Sequence, residues 1–288
     1  MAWYTGQYAS YPPEAIDFTV VTHVVYGGIE WHANDTGTAL PCKGPINNTV
    51  QELVKKHGAK LQFVAPGFLV DAVYDMEMRG RLMGSIREAM QSCGYDGMEF
   101  DWEGPSTPEV ADQFTSFLIE LRAAIGPEAV ISADSEPPMW NPPDYYWLNA
   151  TKMDGVNLDF VNYMVYYAGN GNHTIVPWVE AAGMLIRMGY PPSTVNLAVP
   201  NYAPSTQGTW RDLCKECPNL DPASNQCDTT MIAGKETNKA IGELIRFSGL
   251  GGAFPWMLDY DVAPTDNTTC GDNSMFKWLK KGLRPDLA

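Results

Sequence analysis

Tyr95-Asp96-Gly97-Met98-Glu99-Phe100-Asp101-Trp102-Glu103 alternates apolar and acidic residues with a period of two. Side chains at i, i+2 and i+4 of an extended strand share a face. Glu99, Asp101 and Glu103 therefore line one wall, while Met98, Phe100 and Trp102 pack on the other. Neighbouring carboxyls on that wall stand about 6–7 Å apart along the strand. Like charges held that close push one pKa up and leave a protonated acid near neutrality. Such an acid can protonate a leaving-group oxygen. An acidic edge strand facing solvent has the same spacing, so the surrounding sequence has to separate the two readings.

Working outward, seven more apolar, β-branched runs accompany this one at Gly97–Glu103: Trp3–Tyr8, Val20–Gly28, Lys60–Pro66, Ala129–Asp134, Asp159–Tyr166, Val195–Asn201 and Gly251–Leu258. Helical periodicity lies between them at 71–92, 108–125, 175–188 and 236–247, with a short stretch at 273–282 closing the chain. The first connection, Tyr11–Asp17, is barely a helix, and the fifth, around Pro142–Asn149, is weak. Near-continuous apolar strands alternating with helices predict a parallel sheet. Eight such units in a chain of 288 residues predict an α/β protein: a single closed (β/α)8 TIM barrel, one domain over residues 1–288. No GxGxxG or GxxxxGK[ST] follows any strand, which argues against nucleotide-binding folds.

Composition agrees with a packed globular domain: 45% hydrophobic and 11% aromatic residues. A formal net charge of −15 argues against a nucleic-acid partner. No apolar run approaches the ~20 residues that span a bilayer. Met1-Ala2-Trp3-Tyr4 carries no signal-peptide pattern, yet five sequons begin at Asn34, Asn47, Asn149, Asn172 and Asn267. Together with six cysteines they predict a secreted protein, its leader lying outside this sequence. Cys214, Cys217 and Cys227 crowd one loop and Cys270 follows in another. Zinc at Cys214-x-x-Cys217 is the sharper alternative, but no histidine lies nearby, and disulfides are the expectation.

The acidic strand resembles the signature of glycoside hydrolase family 18, D-G-x-D-x-D-x-E: Asp96, Gly97, Asp101 and Glu103 match, and Glu99 stands where the family has Asp. Val21-Thr22-His23-Val24-Val25-Tyr26 is similar to the family's second strand, and Leu158–Tyr166 to its sixth, L-D-F-I-N-V-M-T-Y. Leu197–Tyr202 resembles the seventh, and Gly251–Asp261 the eighth, G-G-x-M-F-W-S-L-D-Y-D. These blocks occur in the family's order across nearly the whole chain. Three departures stand out. The third-strand S-x-G-G is reduced to Val64-Ala65-Pro66-Gly67, Tyr167 replaces an Asp, and the roughly 50 residues between strands seven and eight are too few for the added α+β domain. A shallower groove is expected.

The resemblance implies that Glu103 protonates the glycosidic oxygen and later activates water. It also implies that the substrate's 2-acetamido oxygen is the nucleophile, oriented and charge-balanced by Asp101. Glu99 would couple to Asp101. Tyr166, on the same parity as Asn162 and Met164, would bond the acetamido carbonyl, and Trp256 would floor the reacting sugar. Tyr202, Met164, Asn162 and Tyr4 complete the candidate substrate-binding set. Trp31, Trp140, Trp147, Trp178 and Trp210 lie near loops and helix starts, where each extends a sugar platform or simply packs.

His23, His32, His57 and His173 are scattered and form no ligand set, and neither metal nor organic cofactor is expected. The implied partner is an N-acetylglucosamine-containing polysaccharide or oligosaccharide, acted on by a monomer. Two alternatives stay open: a chitinase-like lectin or inhibitor without turnover, and an endo-β-N-acetylglucosaminidase acting on N-glycans.

Overall fold

A computed structural model describes residues 1–26, 48–66, 74–101, 107–135, 158–166, 173–204, 206–266, 270 and 273–287. Eight parallel strands form one sheet in chain order: β1 (Ala2–Tyr4), β2 (His23–Tyr26), β3 (Lys60–Pro66), β4 (Gly97–Asp101), β5 (Val130–Ser135), β6 (Phe160–Tyr163), β7 (Val195–Pro200) and β8 (Gly252–Trp256). β1 lies beside β8, and the Met1 nitrogen donates to the Ala253 carbonyl at 3.2 Å. The sheet is therefore a nearly closed barrel. Helices α1 (Asn48–Lys56), α2 (Met76–Cys93), α3 (Pro108–Ile125), α4 (Val176–Arg187), α5 (Trp210–Glu216), α6 (Lys235–Ser248) and α7 (Met275–Leu283) follow the strands.

Strand parity decides what each residue meets. Leu61, Phe63, Met98, Phe100, Ile131, Val161, Leu197 and Val199 point outward into a core shared with the helices. The alternate positions, Gln62, Glu99, Ser132, Asn162 and Asn196, are buried polar residues inside the barrel. Two aspartates tie the strand starts together. Asp96 accepts the Leu61 N–H at 2.9 Å, and Asp159 accepts the Ile131 N–H at 2.8 Å and Arg122 Nη2 at 2.6 Å. Gly97 is needed because a Cβ there would stand 1.9 Å from the Val130 carbonyl oxygen, which keeps β4 and β5 close.

Several expectations need correction. β1, β6, β7 and β8 are shorter than their apolar runs, because apolar residues continue past the hydrogen-bonded ladder; β5 has the length of its run shifted by one residue, and β2 starts at His23 rather than Val20. α1 was not foreseen: Val50 and Val54 are its buried apolar side chains, with Leu53 half-buried beside them. The first connection holds only a 3-10 turn at Pro13–Ala15. The fifth connection, the acceptor asparagines of all five sequons, Trp31, Trp140, Trp147, His32 and Tyr167 lie outside the described residues.

Between β7 and β8, two short ribbons pair Tyr202–Ala203 with Gly208–Thr209 and Gln226–Cys227 with Thr230–Met231. Disulfides Cys214–Cys270 and Cys217–Cys227 hold this segment, which overturns the zinc alternative. Trp210 is buried there and its indole N–H donates to the Asn273 carbonyl at 3.0 Å. Trp178 is buried under β7 with its N–H on the Ala198 carbonyl at 2.9 Å. Both are packing residues rather than platforms. Among the described residues no helix is long and apolar enough to cross a membrane, and no group of three or more His, Cys, Asp or Glu is arranged to hold a metal.

Candidate active site

Catalytic groups of (β/α)8 enzymes sit at the C-terminal ends of the strands. β4 ends, among the described residues, at half-buried Asp101. Two residues deeper, Glu99 is fully buried, and its carboxyl is reached from three sides. Asn162 Nδ2 of β6 donates to Oε1 at 2.5 Å, the Ser132 hydroxyl of β5 donates to Oε2, and the Asp134 carboxyl is in hydrogen-bonding contact. The network extends outward: Gln62 Nε2 donates to Ser132 Oγ at 2.6 Å and to the Met98 carbonyl at 2.9 Å. Asn196 Nδ2 donates to Asn162 Oδ1 at 2.8 Å.

Burial pushes the Glu99 carboxyl up, opposed by its bonds to Asp134, Ser132 and Asn162. Asp134 is pushed well above the usual carboxylate range, first by burial and then by the Glu99 charge beside it. The Met1 amino group is lowered to about 6 by burial, against the pull of Glu99. Two carboxyls in contact inside a barrel cannot both ionise cheaply, so this pair titrates as a unit.

The inward positions also hold an aromatic and apolar cluster. Trp3, Val25, Met164, Tyr166, Ala198, Phe254 and Met257 pack together, with Trp256, Tyr8 and Tyr260 against them. Trp256 ends β8 half-buried, and its ring centroid lies 4.3 Å from that of Trp3. Tyr166 stands 5.9 Å from Tyr202, which stands 6.2 Å from Tyr260. The strand ladder of β6 stops at Tyr163, yet Met164 and Tyr166 still turn to the interior, so the side expected of them from parity holds past the strand end.

Tyr4 is a correction. Its parity is outward, it is buried in the helix-facing core, and its hydroxyl donates to the Tyr11 carbonyl at 3.0 Å. Trp3 is the side chain that β1 gives to the interior. Asn162 is fully buried and donates to Glu99. Glu103 lies outside the described residues.

Two functional candidates escaped the sequence reading, Trp3 and Asp134. Ser132-x-Asp134 carries the same period-two pattern as Glu99-x-Asp101, and applying the rule to β5 would have found it. His23 is only half-buried, 2.9 Å from the Thr22 hydroxyl, with its pKa lowered to about 4 mainly by burial. It belongs to the wall of the barrel start and is remote in sequence from the acidic signature.

The family model for glycosyl hydrolases family 18 matches residues 1–261. Nod factor hydrolase protein 1 of Medicago truncatula is 24% identical over 235 residues, 68% of this chain; the match spans 60% of that relative's length. A chitinase from Bacteroides thetaiotaomicron superposes with a TM-score of 0.78 at 18% identity, over 98% of this chain and 95% of that one. A mutant family 18 chitinase from Cycas revoluta, solved in complex with (GlcNAc)4, gives 0.75 at 14% identity over 96% and 98%.

Proposed function

Because the chain belongs to glycosyl hydrolases family 18, we propose that it hydrolyses β-1,4 bonds in N-acetylglucosamine-containing glycans, chitin oligomers foremost. The reaction retains anomeric configuration and uses the substrate's own acetamido oxygen as nucleophile. One observation carries this reading: Trp256 and Tyr166 face one barrel interior, into which the strand bearing the carboxylates brings Glu99 and Asp101. The flat apolar face of a pyranose stacks on an indole, and the acidic strand supplies proton and charge beside it. The names of the Medicago relative and of the chitinase neighbours support the same substrate class.

In this reading Glu103, two residues beyond Asp101, gives its proton to the glycosidic oxygen as the bond breaks. Asp101 orients the acetamido N–H and offsets the positive charge of the oxazolinium. The Tyr166 hydroxyl donates to the acetamido oxygen and aims it at the anomeric carbon. Glu103, now ionised, takes a proton from the water that opens the ring. The whole chain acts as one secreted catalytic unit, and the disulfides beside the barrel mouth suit that compartment.

Glu103→Gln tests the assignment, because the amide keeps the shape and removes the transferable proton. Hydrolysis of chitohexaose should fall by about 10²–10⁴-fold while calorimetry shows N-acetylglucosamine oligomers still binding. Hydrolysis within about threefold of wild type would remove Glu103 from the role. Wild-type binding without any cleavage would identify a lectin.

A further inference from the structure

Asp134 is 4% exposed and stands on the inward face of β5, paired in register with Asn162 of β6. Among the described residues no N–H or O–H donor reaches its buried Oδ1, and Asn162 is in hydrogen-bonding contact with the carboxyl. The same carboxyl is in hydrogen-bonding contact with that of Glu99, and ionised carboxylates only accept. Such a contact is a hydrogen bond only if one partner carries a proton. Both Glu99 oxygens already accept a donor, Oε1 from Asn162 and Oε2 from Ser132, so Glu99 is equipped to be the anion. Asp134, with an oxygen no donor reaches, is equipped to be the acid, since a buried carboxylate oxygen without a donor is costly.

We propose that Asp134 is a positioning residue that keeps the proton of this pair, donates it to Glu99, and so leaves one negative charge, on Glu99, behind Asp101. Among the described residues the other titratable groups that act on the pair are Asp101, from the same strand as Glu99, and the amino group of Met1. Glu99 thereby presents Asp101 with a fixed charge and a fixed hydrogen-bond acceptor. An aspartate at 99 would end one methylene short of β5 and β6, so Glu99 and Asp134 form a matched pair.

The protonation state stands apart from the hydrolytic reading; only its effect on turnover rests on that reading. Infrared difference spectra of wild type against Asp134→Asn and Asp134→Ala at neutral pH read the proton directly. Asp134→Asn should lose one carboxylic-acid carbonyl band, because a neutral amide donor replaces the acid. Asp134→Ala should keep such a band, because Glu99, deprived of a donor in a dry interior, takes up the proton itself. With chitohexaose as substrate, Asp134→Ala should lower kcat on the order of tenfold or more with KM little changed, and Asp134→Asn should recover most of that loss. Its alkaline limb should also extend to higher pH, the ionisable proton being gone. An acid band that persists in Asp134→Asn overturns the proposal, as does an alanine variant more active than the asparagine one. Melting curves identify a variant that fails to fold, and the infrared result on the other variant then decides.

Discussion

Glu99 and the family's aspartate differ by one methylene, and in this barrel the methylene is spent on reach. It takes the carboxyl from β4 across to Ser132 of β5 and Asn162 of β6. Strand parity is legible in the sequence, and it correctly turns Glu99 and Asp101 inward with Met98 and Phe100 outward. Which side chains meet them across a barrel is not legible, because that depends on the register of β4, β5 and β6 rather than on any one strand. Coupling of Glu99 to Asp101 was the expectation from sequence; the contact with Asp134 adds a partner that spacing along β4 cannot reveal. Glu99→Asp should withdraw the carboxyl from Ser132 and Asn162 and leave buried donors unsatisfied, destabilising the protein by about 1–3 kcal/mol. Thermal unfolding and the pH dependence of kcat/KM check this. An unchanged melting temperature with an unchanged profile would mean that residue 99 is not coupled to the site.

Strands and helices were read with uneven success, for identifiable reasons. Continuous apolar runs located all eight barrel strands, whereas α1 carries its period on Val50, Leu53 and Val54 alone, three residues in little more than one turn. At the exit of β8, Asp261 is fully buried and accepts from Val262 N at 2.7 Å, Ser274 Oγ at 2.8 Å, Met275 N at 3.1 Å and Phe276 N at 2.8 Å. It therefore ties the last strand to the start of α7. Burial raises its pKa from 3.8 to about 6, against those bonds. The folded state thus holds the proton more tightly than the unfolded chain. This contribution to stability is full below about 3.8 and is lost as pH rises through about 6, a swing on the order of 3 kcal/mol. Asp261→Asn cannot titrate. Denaturant midpoints should show wild type gaining on the variant as pH falls from neutrality towards 4, and a gap independent of pH would contradict the assignment.

At the scale of the molecule, one barrel brings together two things that the chain keeps far apart. The acidic strand lies near residue 100, and a pair of inward indoles comes from the first and last strands, Trp3 and Trp256, whose rings stand 4.3 Å apart. The blocks resembling the family were legible because each is a strand whose residues contact both core and site. Trp3 was not, because one indole in a short strand carries no spacing signal. The central claim is that the substrate's acetamido group does the nucleophilic work in this barrel. Chitohexaose and cellohexaose incubated side by side, with products identified by mass and the first-formed anomer by NMR, test it most directly. Chitohexaose should be cut to give the β-anomer first, and cellohexaose, which stacks equally well on Trp256 but has no acetamido oxygen, should remain intact. Comparable cleavage of cellohexaose, or an α-anomer as first product from chitohexaose, would contradict it.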